Sequence, residues 1–165
     1  MALAHNPDPP RRAPSSRKRV AAALIVRGRK ILICQRTRHQ PMPLKWEFPG
    51  GKIEPGEQPT DALRRELDEE LGIQARIGVE VARIQHKYPR GGTVELRFFV
   101  VREFKGEPEN RIFKDIQWVP RTRLAEFDFL EADRELVKEI AAGKLTEKMF
   151  EKIFEQAARL VGHPT

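Results

Sequence analysis

An internal disulfide is closed to this chain, because Cys34 is its only cysteine. A single thiol suits a reducing compartment, and a cytoplasmic location is expected. Cys34 follows the apolar run Ile31-Leu32-Ile33 and reads as an inert buried residue. Long hydrophobic runs are missing too. None approaches the roughly 20 residues that span a bilayer, so no membrane association is expected. The N-terminus has no apolar signal core, which argues against secretion. No internal repeat is evident, which excludes a solenoid. Acidic residues are in deficit, 24 against 31 Lys and Arg, and the net charge is +7.

That basic excess is uneven. Arg11, Arg12, Arg17, Lys18 and Arg19 against Asp8 give residues 1–19 a net +4 and leave +3 for the rest. The stretch also carries Pro7, Pro9, Pro10, Pro14, Ser15 and Ser16, so residues 1–18 are expected to form a disordered basic tail. Solubilisation is the commoner use of such a tail, and nonspecific nucleic-acid contact is the alternative. The chain is long enough for one domain with a buried core. Its 39% hydrophobic and 33% charged residues describe a soluble globular protein.

Residues 20–26 and 30–36 read as strands joined at Arg27-Gly28-Arg29, a hairpin. A loop with Pro41 and Pro43 covers 37–45. Residues 74–88 are mostly strand-like, Pro89-Arg90-Gly91-Gly92 is a turn, 93–104 form a strong strand, and 112–119 form a short one ended by Pro120. A helix is expected over 131–142, stopped by Gly143. Leu145, Met149, Ile153, Phe154, Ala157, Leu160 and Val161 mark a last amphipathic helix over 144–165, packed on its own domain. If the domain closes without it, the stripe becomes a dimer contact, so monomer and homodimer both stay open.

The chemistry concentrates between residues 49 and 73. Residues 49–56 hold three glycines and two prolines, a loop that can bring backbone close to a ligand. A helix over about 60–71 follows. Pro59 suits its start, Thr60 could cap it, Asp61 favours its positive end, and Gly72 fits a left-handed stop. Leu63, Leu67 and Leu71 form an apolar stripe. Glu66, Glu69 and Glu70 stand at i, i+3 and i+4 on a neighbouring face. Like charges this close destabilise an isolated helix. A hard divalent cation such as magnesium or manganese, which takes oxygen ligands, would reverse that sign. A plainly solvated helix face is the alternative, and the glycine-rich loop shifts the balance toward metal. Lys52 is either a point charge for phosphate or an ordinary surface lysine.

These residues resemble the Nudix signature, G-x5-E-x7-R-E-U-x-E-E-x-G-U, where U is bulky and aliphatic. Gly51, Glu57, Arg65, Glu66, Leu67, Glu69, Glu70, Gly72 and Ile73 fill every specified position. The stretch Trp46-Glu47-Phe48-Pro49-Gly50-Gly51-Lys52-Ile53-Glu54 is similar to the branch that cleans oxidised nucleotides, the 8-oxo-dGTP diphosphatases. The resemblance implies a Nudix hydrolase domain over residues 19–143. Its fold would be α/β, an α/β/α sandwich with a central mixed sheet, and the C-terminal helix would be extra. It implies metal-dependent hydrolysis of a nucleoside triphosphate, such as 8-oxo-dGTP, to the monophosphate and pyrophosphate. Hydrolysis of CTP or a modified dCTP is an alternative, as is a nucleotide-binding regulatory module without turnover. Carried over by position, Glu66, Glu69, Glu70 and the Gly50 carbonyl would bind metal, with Glu57 as an additional ligand. Arg65 would pair with Glu57 and join Glu66, Glu69 and Glu70 in the catalytic set.

One position departs from that branch. A glutamate usually stands six residues before the tryptophan that ends the later strand, and here Ile112 takes its place before Trp118. The general base would then be Glu69, or Asp115 after a register shift, with Glu107 and Glu109 as further options. At the nucleotide end, the resemblance puts Arg36 beside the nucleotide and Tyr88 against the base. It puts Asp133 where the purine edge is read. A carboxylate there accepts from guanine N1 and N2, and a protonated one would serve an 8-oxo-purine or a pyrimidine. Read without the resemblance, Tyr88 is a strand-end core residue and Asp133 a solvated or first-turn charge.

Overall fold

The computed structural model describes residues 17–146 and Met149. Nine strands and two α-helices follow one another: β1 (Lys18–Arg27), β2 (Lys30–Gln35), β3 (Trp46–Glu47), β4 (Gly50–Lys52), α1 (Pro59–Leu71), β5 (Gln74–Arg76), β6 (Glu80–Lys87), β7 (Thr93–Val101), β8 (Glu103–Lys105), β9 (Asp115–Pro120) and α2 (Arg134–Ala141). Seven strands form a mixed sheet in the order β3-β2-β1-β7-β6, with β4 also on β1 and β9 also on β2. The β1–β7 pair is parallel and the other pairs are antiparallel.

The run Ala21-Ala22-Ala23-Leu24-Ile25-Val26 is buried throughout, because both faces of β1 are covered. Ala21, Ala23 and Ile25 face the core beneath α1, together with Leu63, Leu67 and Leu71. Ala22, Leu24 and Val26 face the other core, with Leu136, Val137 and Ile140 of α2. The architecture is therefore α/β/α around a mixed sheet. β1 and β2 stay paired only near their turn, through Val26↔Ile31 and Arg27↔Lys30. Beyond that they part, β4 taking the β1 side and β3 the β2 side. The site opens where they part.

Several expectations are corrected. β4 falls in the stretch read as loop and β3 lies just after another, at Trp46–Glu47, where no element was expected; their pairing is tertiary, and the glycines of β4 carry no strand propensity. The strand expected over 93–104 breaks at Arg102. β1 ends shortly after its last pairing, Ile25↔Val101, so the chain turns off to pair β8 with β5. Thr60 does not cap α1: Gln58 is the N-cap, without a side-chain bond, and Pro59 begins the helix. The helix expected over 131–142 opens as a 3-10 turn over Glu131–Asp133 before α2. β1 begins at Lys18, and residues 1–16 of the expected tail lie outside the described residues. Most of the helix expected over 144–165 also lies outside them; Leu145 and Met149 pack into the α2-side core. No helix among the described residues is long and apolar enough to cross a membrane.

Candidate active site

α1 delivers the acidic groups. Its leucines are fully buried, so the face a quarter-turn away rises at the rim of the sheet beside β4. Gly50 and Gly51 make that approach possible. A Cβ on Gly50 would stand 2.1 Å from the Ala21 carbonyl oxygen, and its φ is +155°. A Cβ on Gly51 would stand 2.3 Å from the carboxyl carbon of Glu66. Only glycine lets the helix carboxylate lie on this backbone. The Gly50 N–H donates to Glu70 Oε2 at 3.3 Å.

Arg65 ties loop to helix. Its Nε and Nη2 donate to Glu57 Oε2 and Oε1 at 3.0 and 2.9 Å, a two-pronged pair that fits the guanidinium fork. Nη1 reaches Glu66 Oε1 at 2.9 Å, and Nη2 also reaches the Lys52 carbonyl at 3.2 Å. The hydrogen bonds from Arg65 hold the Glu57 carboxyl below its usual range. Glu69 lies 3.8 Å from Arg65 and is 60% exposed.

Glu70 behaves differently. It is 9% exposed, and burial, then the nearby Glu66 charge, push its pKa up to about 9. Glu66 and Glu70 thus form a crowded carboxyl pair, the arrangement a cation neutralises. As placed, no three His, Cys, Asp or Glu side chains among the described residues close on one point. The donors at hand are all oxygens: Glu57, Glu66, Glu69, Glu70 and the Gly50 carbonyl. Such a set fits a hard divalent ion.

A second cluster adjoins the first. Arg36 Nη1 donates to Glu47 Oε2 at 2.9 Å, and both side chains are largely buried. Burial raises the Glu47 carboxyl while Arg36 draws it down. Asp133 is 4% exposed, so it is not a solvated helix-start charge. Burial, then Glu47, push its pKa up to about 7, against Arg36. Burial and Asp133 raise the Tyr88 hydroxyl. Arg36, Tyr88 and Asp133 therefore share one environment. Lys52 stands apart from it, exposed at the end of β4. Glu47 also bears on Glu70, so the two clusters are electrostatically continuous.

The other base options point elsewhere. Asp115 Oδ1 accepts from the Ile116 N–H and Oδ2 from Gln117 Nε2, both at 2.9 Å. Glu107 pairs with Arg27 at 2.9 Å and Glu109 with Arg111 at 3.6 Å. Ile112 is 47% exposed. Its loop is clipped to the end of α1. The Glu109 and Arg111 N–H groups donate to Leu71 O and Glu70 O at 2.9 and 3.3 Å. Arg111 Nη1 donates to Asp68 O at 3.1 Å.

The NUDIX domain model matches residues 16–140. The chain belongs to the Nudix family. Over 118 residues it is 37% identical to an 8-oxo-dGTP diphosphatase of Haemophilus influenzae, covering 70% of this chain and 86% of that one. Over 123 residues it is 36% identical to a CTP pyrophosphohydrolase of Escherichia coli, covering 74% and 90%. Its fold is similar to the solution structure of the E. coli ORF135 protein, with TM-score 0.71 and 34% identity over 80% of this chain and 92% of that one. As a Nudix hydrolase the protein acts on phosphoanhydride bonds and uses a divalent metal ion. Sequence reasoning gave no role to Glu47, which lies within electrostatic reach of both clusters. The available signal was a lone carboxylate between Trp46 and Phe48, which are 8% and 5% exposed.

Proposed function

We propose that this chain hydrolyses nucleoside triphosphates to the monophosphate and pyrophosphate, with an oxidised purine deoxynucleotide of the 8-oxo-dGTP type as preferred substrate. The continuity of the acidic cluster with the Arg36–Tyr88–Asp133 cluster through Glu47 carries this reading. A triphosphate needs an acidic, cation-accepting end for its phosphates and a partly apolar end with a few polar groups for its base. Glu66, Glu69, Glu70, Glu57 and the Gly50 carbonyl would hold magnesium or manganese. Such an ion supplies Lewis-acid stabilisation of phosphoryl oxygens and a more acidic water.

The chain's own groups take the remaining roles. Arg65 keeps Glu57 and Glu66 oriented. Glu69, exposed and beyond hydrogen-bond distance of Arg65, is the group free to accept a proton from the attacking water. The water oxygen bonds to one of the two phosphorus atoms of the α–β bridge, the bond from that phosphorus to the bridging oxygen breaks, and the electron pair leaves on the bridging oxygen with the other product. At the other end, Arg36 is fixed by Glu47, Tyr88 supplies an aromatic wall, and Asp133 meets the base edge. Lys52 offers its ammonium to the outer phosphates from the rim.

A second reading is favoured by Asp133 itself. A carboxyl near half-protonation at neutral pH can accept or donate, which also suits a pyrimidine such as CTP. The 36% identity to a CTP pyrophosphohydrolase supports that option. The test is catalytic efficiency on 8-oxo-dGTP, dGTP, CTP and 5-methyl-dCTP, with pyrophosphate as the measured product. A highest efficiency on 8-oxo-dGTP supports the first reading, and one on a cytosine nucleotide replaces it with the second. No pyrophosphate from any of them, with the glutamates intact, would leave a binding module.

A further inference from the structure

Past the irregularity at Val81, alternate residues of β6 face the α2-side core, beginning with Ala82. Ile84 packs there, His86 comes next, and Tyr88 follows just past the strand end. The His86 ring meets the Tyr88 ring edge-on, with centroids 4.7 Å apart and planes at 81°. Its Nε2 is buried and meets no hydrogen-bond partner among the described residues. Buried polar atoms in folded proteins nearly always find a partner. An imidazole nitrogen left over beside the wall of a binding pocket is matched when a ligand supplies the missing atom. Asp133, a buried carboxyl, lies within electrostatic reach of Tyr88.

We propose that His86 is a specificity-determining residue whose Nε2 hydrogen-bonds the nucleotide base, from the β6 wall, while Asp133 holds the base edge. This rests on the triphosphate reading of the site given above. The imidazole can donate or accept there, according to its tautomer. It favours a base that presents a carbonyl or an N–H toward β6 over one that presents a C–H. It takes no part in the chemical step, because β6 lies away from the Glu66–Glu70 pair.

His86→Leu and His86→Gln separate this from simple packing. Leucine removes the unmatched nitrogen from an apolar face, so the nucleotide-free protein should melt higher. At the same time the KM for the preferred triphosphate should rise about tenfold with kcat changed less than about twofold, since one neutral hydrogen bond is lost. The preference among 8-oxo-dGTP, dGTP, CTP and 5-methyl-dCTP should shrink. Glutamine, which still donates and accepts, should keep the KM within about threefold. Independently of turnover, the 15N shift of His86 Nε2 should move when the nucleoside monophosphate is added without metal. An unchanged ranking in both variants with an unmoved Nε2 resonance overturns the role of His86 while leaving the hydrolase reading intact. Wild-type protein that cleaves none of the four overturns the reading beneath it.

Discussion

Replacing Glu70 by glutamine should stabilise the metal-free protein while removing its activity. Glu70 has an ordinary carboxyl pKa of 4.5 when unfolded and about 9 when folded, because burial and Glu66 disfavour its charge. Below pH 4.5 both states carry the proton and Glu70 costs nothing. Between 4.5 and about 9 the folded state binds the extra proton, so stability falls as pH rises across that window. At about 1.4 kcal/mol per pH unit, the ceiling near pH 8.5 is about 5 kcal/mol. Relaxation and water entry lower such buried terms, which leaves about 2 kcal/mol. Glutamine mimics the protonated carboxyl: its oxygen can still accept from the Gly50 N–H, and its amide can donate to Glu66. Urea unfolding with a chelator, at pH 5 and pH 8.5, is the assay. The variant and wild type should match at pH 5, and the variant should be about 2 kcal/mol more stable at pH 8.5. Its kcat should fall at least about 100-fold, as for loss of a group that would hold the charge-stabilising cation. Parallel pH profiles for the two proteins would refute the burial argument.

Three further outcomes follow from the geometry. Gly51→Ala puts a methyl group against the Glu66 carboxylate, so kcat/KM should drop about tenfold or more by pyrophosphate assay. Asp133→Asn removes a group that titrates near 7, so the wild-type dependence of KM on pH between about 6 and 8 should flatten in the variant. Arg111→Ala uncaps the C-terminal end of α1, and amide exchange over residues 68–72 should speed up with a loss of about 1 kcal/mol in stability.

The sequence displayed some of this directly and hid the rest. The α1 helix was legible because its leucine spacing, Pro59 and Gly72 are local signals, and the structure agrees on each: Gly72 has φ +67°. The Arg65–Glu57 pair is the one the resemblance implied. β3 and β4 were illegible because they are two and three residues long and exist only through partners on β2 and β1. The break at Arg102 depends on where β1 ends, a fact about another strand. Asp133 read equally well as a solvated helix-start charge; only its depth of burial distinguishes the two. Glu47 was missed because its partner Arg36 comes from the end of a neighbouring strand, which no spacing along the chain encodes. His86 stands two residues before Tyr88 on one strand face, and what the spacing hid is the burial of its Nε2.

The placement of these groups has an energetic logic. Two carboxyls crowded at one turn of α1 oppose folding, and the same helix must offset them. Leu63, Leu67 and Leu71 are fully buried and contribute about 2 kcal/mol each, which covers the cost of the acidic face with a margin. The helix ends are held independently of that face. Pro59 begins α1, and the 109–111 strap takes the carbonyls of Asp68, Glu70 and Leu71 at its end. Arg65 then spreads one positive charge over Glu57 and Glu66 but leaves Glu70 unpaired by any cation among the described side chains. The repulsion is therefore concentrated at Glu70, the carboxyl beside the Gly50 backbone. That is where a divalent cation has most to replace: the scaffold supplies no counter-charge there, so Glu70 holds a proton at neutral pH, and the cation's arrival expels it.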